Sequence, residues 1–265
     1  KGATGTVYRA TDMNLRRDVA IKIIKAEYFG DSKLLLRFER EAQAAARLAH
    51  PNIVKVYDFG RTQAGGAWLV MELVQGVTLR DEIKSKQKLP IQFVSQLFMQ
   101  LMEGVAAAHE NGVIHRDLKP DNILLSYNSD GRLEAKILDF GLAMIRHNKT
   151  LSTGHTTLTQ AGLLLGTPGY MAPELLLGQQ ADERADLFAL GVILVESLSG
   201  VKLFASPNHG DRLRDFLVSD VELPAEVMNI PQLSQLLHKC LSKDINARYQ
   251  NITEMRAALT TVISH

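Results

Sequence analysis

Apolar and polar positions alternate through "DVAIKII", and this period of two, rich in β-branched residues, predicts a strand over 18–25, with another over 5–10. The pattern then changes. "SKLLLRFEREAQAAARLA", residues 32–49, has the spacing and Ala content of a helix, and Pro51 in "HPNI" cannot continue it. Residues 53–60 and 67–73 predict two more strands with "AGG" in the turn between them. The first 75 or so residues therefore predict a small sheet with one helix. Beyond them helical spacing dominates. "PIQFVSQLFMQLMEGVAAAHENG" puts Val94, Leu97, Phe98, Leu101, Val105 and Ala108 on one face. "NILL" and "AKILDF" flank "NSDG" as a hairpin would, and "ADLFALGVILVESLSG" is so apolar that it predicts a buried helix. Residues 141–173 show no period and many Thr, Ser and Gly, which predicts a long loop.

Composition narrows the function classes. The 265 residues are 46% hydrophobic, enough for a packed core, and the formal net charge of +1 gives no bulk attraction to nucleic acid. The single cysteine, Cys240, cannot form an internal disulfide, no Cys/His cluster suggests zinc, and a reducing, cytoplasmic setting is expected. Apolar runs are far shorter than a membrane span, and no signal peptide is visible. The sequence begins at Lys1 without Met, so a piece of a longer chain is expected.

The candidate chemistry gathers in a few short stretches. Gly2 and Gly5 in "KGATGTVYRA" allow backbone N–H groups to approach phosphate oxygens, although a turn between strands would use the same residues. Lys22 closes the apolar "VAIK", so its ammonium meets either solvent or a buried partner. Glu41 of the following helix is the candidate partner, and Glu39, two residues away, faces another side. "HRDLKPDN", residues 115–122, combines a carboxylate able to accept a hydroxyl proton (Asp117), an ammonium able to neutralise a phosphoryl group (Lys119) and an amide oxygen for a hard cation (Asn122). "DFG" follows, where Asp139 is a second oxygen ligand of the kind magnesium takes.

Taken in order, "GATGTV", "VAIK", Glu41, "HRDLKPDN", "DFG", "GTPGYMAPE" and "ADLFALG" give the chain its likeness: over nearly its whole length it resembles a eukaryotic-type protein kinase catalytic domain, and in style the bacterial Ser/Thr kinases. The resemblance implies an α+β bilobal fold, with a small antiparallel-sheet lobe and hinge over 1–74 and a larger, mainly helical lobe over 75–265. It implies that Gly2 and Gly5 cover the phosphates of ATP, that Lys22 holds them and pairs with Glu41, and that Val7, Ala20 and Leu124 enclose the adenine. Met71 would gate the back pocket, with the backbone of Glu72 and Val74 on the adenine edge. Asp117 would be the catalytic base, Lys119 would assist the γ-phosphate, and Asn122 and Asp139 would hold Mg2+. Phe140 would pack on His115, Glu174 would pair with Arg248, and Asp186 would hold the backbone of the catalytic loop.

Lys119 and Thr167 match the Ser/Thr class. Arg116 matches the arginine that binds a phosphate on the activation loop, for which Thr159 and then Thr157 are the candidate sites. The implied partners are ATP, proteins presenting Ser or Thr, a second copy of the chain for autophosphorylation, and a membrane tether outside this segment; nucleic acid is not among them. The family's first strand and first loop glycine would precede Lys1. Two other classes stay in view. A pseudokinase would lack Lys22, Asp117 or Asp139, and a small-molecule phosphotransferase of related fold would lack "APE" and Lys119; all are present.

Overall fold

The computed structural model describes residues 5–29, 32–140, 168–204 and 221–263. Four strands form the first sheet: β1 (Gly5–Asp12), β2 (Arg17–Ile24), β3 (Val56–Arg61) and β4 (Ala67–Glu72), in the order β1-β2-β4-β3 and antiparallel throughout. The alternation read in β2 is real: Val19, Ala20, Lys22 and Ile24 are buried in this central strand. Helix α1 (Ser32–Ala46) packs on the sheet through Leu34, Phe38 and Ala42, which join Ile24, Leu69 and Met71 in one hydrophobic cluster.

One strand starts later than its sequence pattern indicates. The apolar run begins at Ile53, yet β3 begins at Val56. Residues 52–54 are drawn instead to the second sheet, where Val54 N donates to Ile137 O at 2.9 Å and Ile137 N donates to Asn52 O at 2.8 Å. The Asn52 side chain completes the link, donating to Ala135 O at 2.8 Å. The backbone groups of this segment thus find their partners in the other lobe, which ties the lobes together directly behind the site.

The second sheet is short, with β5 (Val77–Thr78), β6 (Ile123–Tyr127) and β7 (Leu133–Ile137) in that order. The helices are α2 (Leu79–Lys86), α3 (Ile91–Glu110), α4 (Pro173–Leu176), α5 (Arg184–Ser199), α6 (Ala225–Met228), α7 (Pro231–Cys240) and α8 (Ile252–Ile263). Thr78 caps α2 by accepting from Asp81 N at 3.1 Å. All six residues expected on one face of α3 are buried at 2% exposure or less. Helix α5 is buried on every side, as an all-apolar helix must be in water, and ends at Gly200 in the left-handed conformation with φ 73°. A β-carbon at Gly200 would meet Gln87 O at 2.2 Å, so only glycine fits there. The larger lobe therefore has its own core, built on α3 and α5.

Candidate active site

The catalytic loop is held from below. Asp186, at the start of α5, is fully buried. Its Oδ1 accepts from Arg116 N at 2.8 Å, and its Oδ2 accepts from His115 N at 2.8 Å and pairs with His109 Nε2 at 2.9 Å. Burial works against ionisation of this carboxyl, but the hydrogen bonds from His109 and from the loop backbone outweigh it and hold its pKa below the ordinary value. The reward is a strained turn: Arg116 sits at φ 62°, a conformation that costs an L-residue about 1 kcal/mol or more and persists only when its surroundings impose it.

His115 is locked in one tautomer. Its Nε2 lies 2.7 Å from Leu138 O, which can only accept, so Nε2 carries the proton. Its Nδ1 then accepts from Asp117 N at 3.2 Å. One ring thus spaces the catalytic loop from the "DFG" segment, and Phe140 packs on it edge-on at 4.7 Å between centroids.

Above this support the predicted polar groups converge. Lys119 Nζ reaches both oxygens of Asp117, at 2.8 and 3.1 Å. Asn122 Nδ2 donates to Asp117 O at 2.8 Å and to Asp117 Oδ2 at 3.2 Å, which turns the amide oxygen the other way. Leu138 N donates to Asn122 O at 2.8 Å, so Asp139 directly follows a residue bonded to Asn122. Asp139 also has a left-handed backbone, at φ 62°. Lys119 and Asn122 are buried, and the Asp117 side chain is only 13% exposed.

The Lys22 pairing differs from the one expected. Lys22 is buried, as the partner reading required, but its Nζ lies 2.5 Å from Asp139 Oδ2. Glu41 faces Arg116 instead, with Oε1 at 3.5 Å from Nη1 and a buried Oε2 that has no hydrogen-bond partner among the described residues. The correction has a physical cause. In this placement of α1, Asp139 offers Lys22 a carboxylate at contact distance, and Glu41 is left with the cation of the catalytic loop. Glu39 is excluded from the site as expected, because it forms a two-pronged pair with Arg61 at 2.6 and 2.8 Å.

Burial raises the pKa of Glu41 to about 7 against the pull of Arg116 and Arg37. The folded state therefore binds this proton more tightly than the unfolded chain, whose glutamates titrate near 4.5. The stability it confers is complete below about pH 4.5 and is lost as the pH rises through about 7. Urea denaturation of wild type and Glu41→Gln at pH 5 and pH 8 checks this. The variant is expected to gain about 2 kcal/mol on wild type between the two pH values. A difference that does not change with pH would contradict the assignment.

The residues expected around the nucleotide are laid out by strand register. Val7 lies opposite Lys22, and Ala20 lies opposite Met71. Val7 is 53% exposed, as an apolar residue facing an open cleft would be, whereas Ala20 and Met71 are buried and Leu124 is partly so. Met71 and Leu69, with Val54, Ala42, Phe140 and Asp139, line a small cavity. The Glu72 side chain pairs with Lys136 at 2.9 Å, and Glu72 N donates to Lys55 O at 2.9 Å, so the segment leading to Val74 is tied to both lobes. Gly5 crosses close to β2, where a β-carbon would meet Ile23 O at 2.1 Å. Gly2, Thr157, Thr159 and Thr167 lie outside the described residues.

A model of the protein kinase domain matches residues 1–260. The chain belongs to the protein kinase family. The domain is 35% identical to the serine/threonine-protein kinase PknB of Mycolicibacterium smegmatis, over 98% of this chain and 41% of that one. It is 34% identical to serine/threonine-protein kinase pkn3 of Myxococcus xanthus, over 99% and 48%, and 35% identical to PknL of Mycobacterium bovis, over 98% and 63%. It is similar in structure to the Mycobacterium tuberculosis PknI kinase domain, with a TM-score of 0.78 at 26% identity over 99% of this chain and 92% of that one. The bilobal fold is thus that of the family, and the curated relatives named here are serine/threonine-protein kinases. The chain spans less than two thirds of the length of these curated relatives. Among the described residues no helix is long and apolar enough to cross a membrane.

Proposed function

We propose that this domain transfers the γ-phosphoryl group of Mg·ATP to Ser or Thr hydroxyls of proteins, with the lobes divided at residue 74. The observation that carries this reading is the convergence of Asp117, Lys119, Asn122, Lys22 and Asp139 on one cleft between two lobes.

Asp117 accepts the hydroxyl proton as the acceptor oxygen bonds to the γ-phosphorus. The bond from that phosphorus to its bridging oxygen breaks, and the electron pair leaves with ADP. Lys119, already against Asp117, offsets the negative charge on the transferring group. The donor set suits a magnesium ion, because Asp139 and the amide oxygen of Asn122 are hard oxygen ligands on adjoining backbone. The metal would neutralise phosphate charge when bound. Lys22 would then exchange Asp139 for the α- and β-phosphates, and Arg116 would turn from Glu41 to a phosphate on the loop. Thr159 and Thr157 are the proposed sites for that phosphate, and a second copy of the chain is the proposed donor. Gly2 and Gly5 would cover the phosphates, and Thr167 would contact Asp117 and Lys119 from the acceptor side. Val7, Ala20 and Leu124 would enclose the adenine behind Met71, with the backbone of Glu72 and Val74 on its edge. A membrane tether, if the full protein has one, would lie outside this segment.

Labelled γ-phosphate tests the reading. Label is expected on protein Ser or Thr in the presence of magnesium. Transfer to a small molecule only, or no transfer beside tight ATP binding, overturns it in favour of a small-molecule phosphotransferase or a pseudokinase.

A further inference from the structure

Beside the catalytic loop lies a second polar cluster that the phosphoryl chemistry does not use. Its centre is Arg80, the second residue of α2, which is 6% exposed. Arg80 Nη1 donates to Glu196 Oε1 of α5 at 2.5 Å. Arg80 Nη2 donates to the Tyr170 hydroxyl, and that hydroxyl donates to Glu196 Oε2. Arg80 Nε donates to Asp121 Oδ2 at 3.2 Å. One guanidinium thus uses all three nitrogens on three partners from three chain segments, which the point charge of a lysine cannot do.

The partners divide into two arms. Glu196 and Tyr170 are 1% and 5% exposed, and they hold the guanidinium in place from within. Burial and the adjacent Glu196 push the Tyr170 phenol well above its ordinary pKa, so it remains a neutral donor. The other arm reaches outward. The Asp121 side chain is 48% exposed, and Asp121 directly precedes Asn122, whose amide holds Asp117. Tyr170 ends the turn Pro168–Tyr170, directly downstream of Thr167 in sequence. The same cation therefore fixes the spacing between the catalytic loop and the segment that leads from Thr167 to "APE".

We infer that Arg80 is a positioning residue for the acceptor side of the reaction: it sets Asp121–Asn122 against the Tyr170 turn, so that the hydroxyl to be phosphorylated meets Asp117 at the right distance. This rests on the kinase reading above. The buried arm alone would be a structural ion pair. The outer arm gives the cluster a functional role, because an exposed carboxylate on the catalytic loop contributes little to stability.

Steady-state kinetics of Arg80→Lys and Asp121→Asn on a Ser/Thr acceptor that the wild type phosphorylates test the inference. Both variants are expected to lower kcat/KM for the acceptor at least tenfold while KM for ATP stays within twofold. Asp121→Asn is expected to do so with an unchanged melting temperature, since it takes the charge from the outer arm only. The double variant is expected to be little worse than the more impaired single one, as for residues acting through one contact. Asp121→Asn with wild-type acceptor kinetics, equal shifts in both KM values, or additive effects in the double variant would each overturn the assignment. So would an Arg80→Lys activity loss that merely tracks its loss of folded protein. If the wild type itself transfers no phosphate, the kinase reading fails first and the role of Arg80 falls with it.

Discussion

Asp117→Asn is expected to reduce phosphoryl transfer by about 10²–10⁴-fold, the usual contribution of a positioned general base. That corresponds to roughly 3–5 kcal/mol of transition-state stabilisation. The geometry makes the variant informative. Asn retains an oxygen for Lys119 and leaves the backbone carbonyl that anchors the Asn122 amide, so the loop has little reason to move. Binding of Mg·ATP, measured by titration, is therefore expected to stay within about threefold, because the proposed metal ligands Asn122 and Asp139 are untouched. Wild-type turnover in this variant would remove Asp117 from the role of base. Loss of ATP binding in parallel with turnover would point to a collapsed loop instead.

The second large effect concerns stability. Arg248 is 1% exposed and grips Glu174 with two parallel bonds of 2.8 Å each. Its Nε donates to Ser242 O at 2.7 Å, and its guanidinium lies 5.0 Å from the Phe188 ring centroid. Arg248→Ala leaves the Glu174 carboxylate buried at 7% exposure without its cation. Removing one member of such a pair costs about 3–5 kcal/mol, because the surviving charge is stranded away from water. For a chain of this size each kcal/mol is worth roughly 2–4 °C, so thermal unfolding is expected about 10 °C lower. Replacing both residues by apolar ones of similar volume is expected to cost much less, since no charge is then stranded. A melting temperature within a degree or two of wild type for Arg248→Ala would contradict this reading of the pair.

These two cases also show what was legible in the chain. The contacts that the family resemblance implied stand where expected: Asp186 under the catalytic loop, Phe140 on His115 and Glu174 with Arg248. So did the buried helix α5 and the central strand β2, whose apolar patterns leave little choice of environment. The Lys22 partner was a different matter. Helical spacing correctly separated Glu41 from Glu39, but it could not set the distance between α1 and the sheet. Tertiary packing brings Asp139 to Lys22 and Glu41 to Arg116. Arg80 gave no signal at all. In "TLRDEI" it reads as an ordinary polar residue in the first turn of a surface helix, and only the convergence of Asp121, Tyr170 and Glu196 makes it a centre. The late start of β3 has the same origin, since residues 52–54 serve the other lobe and their apolar pattern does not say so.

The central claim, that Asp117, Asn122 and Asp139 operate together on Mg·ATP and a protein hydroxyl, is tested most directly by mapping phosphorylated residues by mass spectrometry. The wild-type chain and Asp139→Asn would each be incubated with Mg·ATP and an acceptor protein. Phosphate on Ser or Thr with the wild type only, Thr159 or Thr157 of the chain among the modified positions, is the predicted result. Equal phosphate with both proteins, or an unmodified wild type that binds ATP tightly, would contradict it.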